Sequence, residues 1–291
     1  MTWYATLDDA KSMMRAGSSS DTVGDVIVKS LLQMISRRID RLFPTHSPAQ
    51  APFFAPFIET REFPLRFSDV NSWERTWRIG DPLLALTAVT VGTDALILNS
   101  DVKAWPPLTT PLRKLILASG TTQWYSYNDS NDDPLRVIVA GTWGWHHDWA
   151  NAWLSVDTVQ NNPLTAGGTS LTLADVDGAD PYGRTPRISA GNLLKIENEY
   201  LEVSATDTAG NTATVRRGVN GSTAAAHVQT TAVSVFQVED DLRHVVARQA
   251  GAIYARRGAY EQVEISGIGL TQYPPDLLSE LKAVLTGYAY E

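Results

Sequence analysis

The sequence predicts an α+β protein: N- and C-terminal helices packed as a helical bundle, a β-rich middle region, and an inserted small β-barrel or sandwich domain. Three observations carry this. Apolar residues recur at helical spacing at both ends of the chain. From Phe57 to about Trp149 the pattern changes to short runs of Val, Ile, Thr and aromatics punctuated by Gly, Asn-Asp and Pro. From about 160 to 236 it changes again, to short strands rich in Thr, Ala, Gly and Asp. The expected domains are 1–156 and 238–291 for the main body and 157–237 for the insert. A chain of 291 residues can bury a core in each.

Leu7 to Met14 reads as a short helix, with Thr6 as its cap and Asp8 and Asp9 in the first turn. After Gly17-Ser18-Ser19-Ser20, Asp21 is placed to cap a longer helix. Its expected apolar face is Val23, Val26, Ile27, Leu31, Met34, Ile39, Leu42 and Phe43. Pro44 stops it, and residues 44–56, with four prolines, form a loop. Phe53 and Phe54 in that loop are either tucked back on the core or reserved for contact with a neighbour.

Expected strands follow at Phe57–Phe67, Leu83–Val91, Ala95–Leu98, Lys114–Leu117, Thr122–Tyr127 and Leu135–Trp143. In the insert they are Leu171–Leu173, Leu194–Glu197, Tyr200–Val203, Thr212–Arg216 and Val233–Phe236, with a tight turn at Asn198-Glu199. Glu239, Asp240 and Asp241 open the returning helix, whose apolar face is Leu242, Val245, Val246, Ala250, Ile253 and Tyr254. Arg256, Arg257 and Gly258 close it. Gln262–Ile265 and a Gly267-Ile268-Gly269 loop precede a last helix, opened by Pro274-Pro275-Asp276 and faced by Leu277, Leu278, Leu281, Val284 and Leu285. Gly287 ends it, and Tyr288-Ala289-Tyr290-Glu291 is left as a tail.

Composition narrows the function. There is no cysteine, which removes disulfides, thiolate metal sites and cysteine nucleophiles. The formal net charge of −8, with basic residues only in scattered pairs, argues against a grip on nucleic acid. No apolar run reaches bilayer length. The start, Met1 to Asp9, has neither the basic region nor the apolar run of a secretory signal, so the chain is expected to be made in a cytoplasm.

Catalytic patterns are missing too. Gly267-Ile268-Gly269 lacks the third glycine of a dinucleotide fingerprint, and no phosphate loop, nucleophile elbow or zinc-protease motif occurs. His146-His147-Asp148 has metal-ligand types, but adjacent histidines on a strand point to opposite faces. Asp175, Asp177 and Asp180 lack the bidentate glutamate of a calcium loop. Glu197, Glu199 and Glu202 read as the wet face of a short strand. Neither a catalytic residue, a metal site nor a cofactor is expected. Six of the nine tryptophans lie between Trp73 and Trp145; Trp143, Trp145, Trp149 and Trp153 suit a core or interface better than a sugar-binding surface.

Three stretches carry a family resemblance. Tyr4-Ala5-Thr6-Leu7-Asp8-Asp9-Ala10-Lys11, followed by Asp21-Thr22-Val23 and a helix ending Ile39-Asp40-Arg41, resembles the opening of tailed-phage head-to-tail adaptor (connector) proteins. Leu135-Arg136-Val137-Ile138-Val139-Ala140-Gly141-Thr142-Trp143-Gly144-Trp145 is similar to the strand before that family's returning helix. Asp240 to Ala250, continuing Tyr254-Ala255-Arg256-Arg257, resembles the helix itself. Between the last two lies the insert. Its Arg217-Gly218-Val219-Asn220-Gly221-Ser222-Thr223-Ala224-Ala225-Ala226-His227 is similar to a small β-module of phage neck and tail proteins.

The resemblance implies a virion protein of the neck that closes into a homo-oligomeric ring of about twelve subunits under the portal protein. It implies contact with a stopper or tail-completion protein, and passage of double-stranded DNA without sequence-specific binding. Membranes have no part in it. Tyr288, Ala289, Tyr290 and Glu291 are the expected portal-binding tail, and Phe53 and Phe54 the expected neighbour-contact loop. The alternatives are another tail or baseplate structural protein, or a carbohydrate-binding module using surface tryptophans.

Overall fold

A computed structural model describes residues 2–14, 22, 24–65, 69–121, 124, 136–255 and 279–288. The expected cap Asp21, most of the strand Thr122–Tyr127, Arg256 to Gly258, everything expected between 262 and 278, and Ala289, Tyr290 and Glu291 lie outside these residues. The fold is α+β and mostly β, with two antiparallel sheets and, among the described residues, four α-helices. It divides into two compact units: Met1–Leu42 with Trp153–Val219 and Thr223–Glu291, and Phe43–Ala152 with Asn220–Ser222. This grouping differs from the expected one, because the helices share a unit with the sheet of the 153–236 segment.

In the first unit, α1 (Leu7–Ser12) starts at a capping box in which Thr6 Oγ1 accepts from Asp9 N and Asp9 Oδ2 accepts from Thr6 N. The N-terminal segment is pinned to the sheet segment: Leu7 N donates to Ala190 O at 3.0 Å, Ser189 hydrogen-bonds Asp8, and the Trp3 ring lies against Gly191. Gly191 has φ +102°, and a Cβ there would sit 2.3 Å from that ring, so only glycine fits. These contacts bring the helices and the sheet into one unit.

Helix α2 (Asp25–Leu42) buries Val28, Leu32, Ile35 and Ile39. Of the face expected from the sequence, only Ile39 is on this buried side, while Val26, Ile27, Met34 and Leu42 are exposed. The helix carries two apolar stripes, and the more regular i, i+4, i+7, i+11 one turns inward. Helix α3 (Asp240–Ala255) packs against α1, α2 and α4 (Ser279–Gly287). Its buried residues include Leu242, Val245, Val246, Ala250 and Tyr254, as expected; Tyr254 approaches α2 so closely that a Cβ on Gly24 would lie 1.9 Å from its hydroxyl.

The sheet of this unit has six antiparallel strands in the order β8-β13-β10-β11-β12-β9 and is not a closed barrel. They are β8 (Trp153–Thr158), β9 (Ser170–Thr172), β10 (Leu193–Ile196), β11 (Glu199–Asp207), β12 (Thr212–Arg216) and β13 (Ala232–Phe236). Leu194, Ile196, Leu201, Val203, Ala213, Val215 and Val233 share one core with Leu171, Leu173 and Ile188. The β10–β11 turn is Glu197-Asn198, one residue earlier than expected, because Glu197 takes the left-handed conformation at φ +53°. That slip turns Glu199 inward.

The second unit is a seven-stranded antiparallel sheet with the main order β1-β7-β3-β6-β5; β2 and β4 both pair with β3. The strands are β1 (Phe57–Pro64), β2 (Val70–Asn71), β3 (Thr76–Val91), β4 (Asp94–Leu96), β5 (Val102–Trp105), β6 (Leu112–Leu117) and β7 (Arg136–Trp143). Phe63, Trp77, Leu83, Val89, Leu115, Trp124, Val137, Val139 and Trp143 form its core. Strand β3 runs through Gly80-Asp81-Pro82, which reads as a break in the sequence. The register with β6 shifts there, and Asp81 turns inward as the partner of a buried arginine.

Candidate functional site

Phe53 and Phe54 are tucked back, not held out for a neighbour. They are 4% and 1% exposed, Phe53 stacks on Phe43 at 4.5 Å between centroids, and Phe54 meets both edge-on. Aromatic area buried this way leaves nothing to offer a second chain, so the expected neighbour-contact loop is corrected to part of the second unit's interior.

Tyr288, the first residue of the expected portal-binding tail, is half-buried and donates its hydroxyl to Asp241 Oδ1 at 2.6 Å. Burial and the Asp241 carboxylate push its phenol far above the ordinary tyrosine range. The residue is thereby tied to the first turn of α3.

The RGVNGSTAAAH string is organised around one buried carboxylate. Glu199, 1% exposed, accepts from Arg217 Nε and Nη2 at 2.6 Å each, Gly218 N at 3.1 Å, Ala225 N at 3.0 Å and His227 Nε2 at 2.8 Å. Burial alone would raise its pKa, but Arg217, the Ala225 N–H and His227 outweigh this and hold it below the ordinary carboxylate range. His227 Nδ1 reaches Glu197 at 2.9 Å, and Arg217 caps the carbonyls of Thr165, Gly168 and Ala225. Of the acids expected on a wet face, Glu197 is exposed, whereas Glu199 is the centre of a buried latch. Glu202 is buried as well, where desolvation pushes it up to about 7 although Arg216 meets it; Arg216 is itself half exposed. Within the second unit, Asn220 donates to Pro56 O at 3.0 Å, and its own carbonyl accepts from Ile58 N at 2.9 Å.

A second buried ionic group organises the tryptophan-rich unit. Arg61, 2% exposed, donates to Asp81 at 2.8 Å and Glu59 at 2.9 Å, and its guanidinium lies 4.5 Å from the Trp143 ring centroid. Asp81 also accepts from His46 N at 2.8 Å. Every one of these acceptors is matched to a donor, as a structural ion pair needs to be.

The remaining sequence candidates have structural partners. Asp175 accepts from Gly178 N at 2.9 Å and pairs with Arg187 at 2.9 Å, the Gly178 bond first and then Arg187 holding its pKa down. Asp180 accepts from Tyr182 N and Arg184 N. His146 and His147 leave β7 before they are reached and stack at 5.3 Å, so they do not diverge as strand neighbours would.

The surface of the first unit shows what the sequence reading missed. Val26, Ile27, Met34 and Leu42 of α2 are 76%, 46%, 48% and 53% exposed. At positions 26, 27, 34 and 42 they form an outward apolar stripe, interrupted between Met34 and Leu42 by exposed Arg37, Arg38 and Arg41. The signal was present in the sequence as an excess of apolar positions around the helix. No helix of the described residues is long and apolar enough to cross a membrane. Comparison with protein-family models gives no match, and neither does comparison with the curated proteins.

Proposed function

We propose that this chain is a structural subunit of a tailed-phage particle, a head-to-tail adaptor. It assembles with further copies into a ring of about twelve under the portal protein and continues the DNA channel towards the tail. The observation that carries the reading furthest is the outward stripe of α2, a long helix with apolar residues on the side turned from its own core. Such a stripe is covered in the working protein, and repeated head-to-tail contact between copies is one arrangement that covers it. In this reading α1 to α4 are the ring's helical bundle, and the 157–237 segment is an inserted module latched by Glu199.

The formal net charge of −8 supports the same role, since acidic walls let a duplex slide through without holding its phosphates. The basic residues that interrupt the stripe, Arg37, Arg38 and Arg41, complement an otherwise acidic neighbour. The tail after Gly287 is the portal anchor and acts by strand addition. Mixing the purified chain with portal protein and weighing the products by native mass spectrometry tests this. Ring-sized complexes on the portal are expected; a chain that stays monomeric and ignores the portal overturns it.

A further inference from the structure

The tryptophans that face outward are not those singled out in the sequence. Trp143 is fully buried, whereas Trp73 is 98% exposed and Trp105 is 47% exposed, both in the second unit. Trp73 stands on the β2–β3 turn, which is ordered by its own hydrogen bonds: Asn71 Oδ1 accepts from Trp73 N at 3.1 Å and from Glu74 N at 3.3 Å. A fully exposed indole on a braced turn gives the fold itself nothing.

Beside that turn the outer face of the sheet forms a groove of about 550 Å³. Arg78, Lys114 and Trp105 stand in one cross-strand row along β3, β6 and β5, on the face opposite Trp77 and Leu115 of the core. Asp69, Asn71 and Glu74 close the groove on the side of the turn. Its lining therefore combines the Trp105 indole with two carboxylates, an amide, the guanidiniums of Arg78 and Arg113 and an ammonium. Lys114 and Glu74 are 3.3 Å apart, so both signs sit side by side.

We propose that this groove is a carbohydrate-binding site that takes a pyranose unit of an oligosaccharide. Pyranose rings carry an apolar C–H face that stacks on an indole, while their vicinal hydroxyls act as donor and acceptor together and so use carboxylate, amide and guanidinium groups in one site. The volume is in the range of small-ligand sites. Nucleic acid is a poor fit because Asp69 and Glu74, interleaved with Arg78, Arg113 and Lys114, would face its phosphates, and a protein-interface core would be depleted of charge. The site stands independently of the ring reading.

Isothermal titration of the full chain with chitohexaose, cellohexaose and maltohexaose tests it, with saturation-transfer NMR reporting which sugar protons touch the rings. Saturable binding to at least one oligosaccharide is expected, weakened about tenfold or more by Trp105→Ala, the indole in the lining, with far-UV circular dichroism unchanged. Leu108→Ala, which removes an exposed apolar side chain outside the groove lining, is expected to leave binding intact. Absence of binding to all three sugars overturns the proposal. So does equal weakening by Leu108→Ala, or a Trp105→Ala variant in which sugar binding persists unchanged.

Discussion

Replacing Glu199 with alanine should unfasten the latch of the first unit's sheet segment. The carboxylate is 1% exposed and takes five hydrogen bonds, two of them from an Arg217 side chain that is itself 5% exposed. Removing one partner of a buried ion pair costs about 3–5 kcal/mol, because the other charge is left without compensation. The Gly218 and Ala225 N–H groups lose their acceptor too, at about 1 kcal/mol or more each where water cannot reach them. A loss of about 5–7 kcal/mol follows, against a typical domain stability of about 5–15 kcal/mol. Glu199→Gln keeps the shape and one acceptor, and should cost about half as much.

Hydrogen exchange read by mass spectrometry over residues 193–216 isolates this segment from the rest of the chain. Opening free energies there should fall by the stated amount, while residues 76–91 of the other unit keep theirs. The pH dependence has a definite sign. The folded carboxyl lies below its ordinary value near 4.5, so its contribution is present above that value and lost as pH falls through the folded one. Glu199→Gln should remove that acid loss. A Glu199→Ala variant destabilised by less than about 1 kcal/mol would refute the reasoning.

Further outcomes are expected elsewhere. Glu202 has the opposite sign: its pKa is raised from 4.5 to about 7, so stability should decline as pH rises between those values, and Glu202→Gln should flatten that slope in urea melts. The effect is on the order of 2 kcal/mol once screening by the half-exposed Arg216 is allowed for. Tyr288→Phe removes one hydrogen bond to Asp241 and should cost about 1 kcal/mol, seen as faster exchange across 281–287 with the sheet untouched. Val26→Asp with Met34→Glu places charge on the outward stripe of α2; the monomer should keep its circular dichroism, and sedimentation should show assembly lost.

What the sequence disclosed divides by the kind of signal. Helix spacing and capping residues are local, so α1, α3 and α4 were legible, down to Thr6 as the cap of α1. Helix α2 was legible as an element but not in its orientation, because apolar residues on two faces leave periodicity without a unique answer. Strand β3 was read as half its length, since Gly80-Asp81-Pro82 is a turn signal until Arg61 supplies a buried partner for Asp81. The Glu199 latch was missed for a related reason. Alternating acids look solvated, and the arginine and histidine that hold this one lie 18 and 28 residues further along. Burial of Trp143 depends on the register of β7, which no local pattern states, while Trp73 is exposed because it stands on the β2–β3 turn.

The proposed assembly in the neck is open to a symmetry-resolved cryo-EM map of a particle carrying this chain. A ring beneath the portal is expected, with the outward stripe of α2 covered by the neighbouring subunit and the residues after Gly287 touching portal protein. Density for the chain at the tail tip or on a fibre, with that stripe left in solvent, would contradict it.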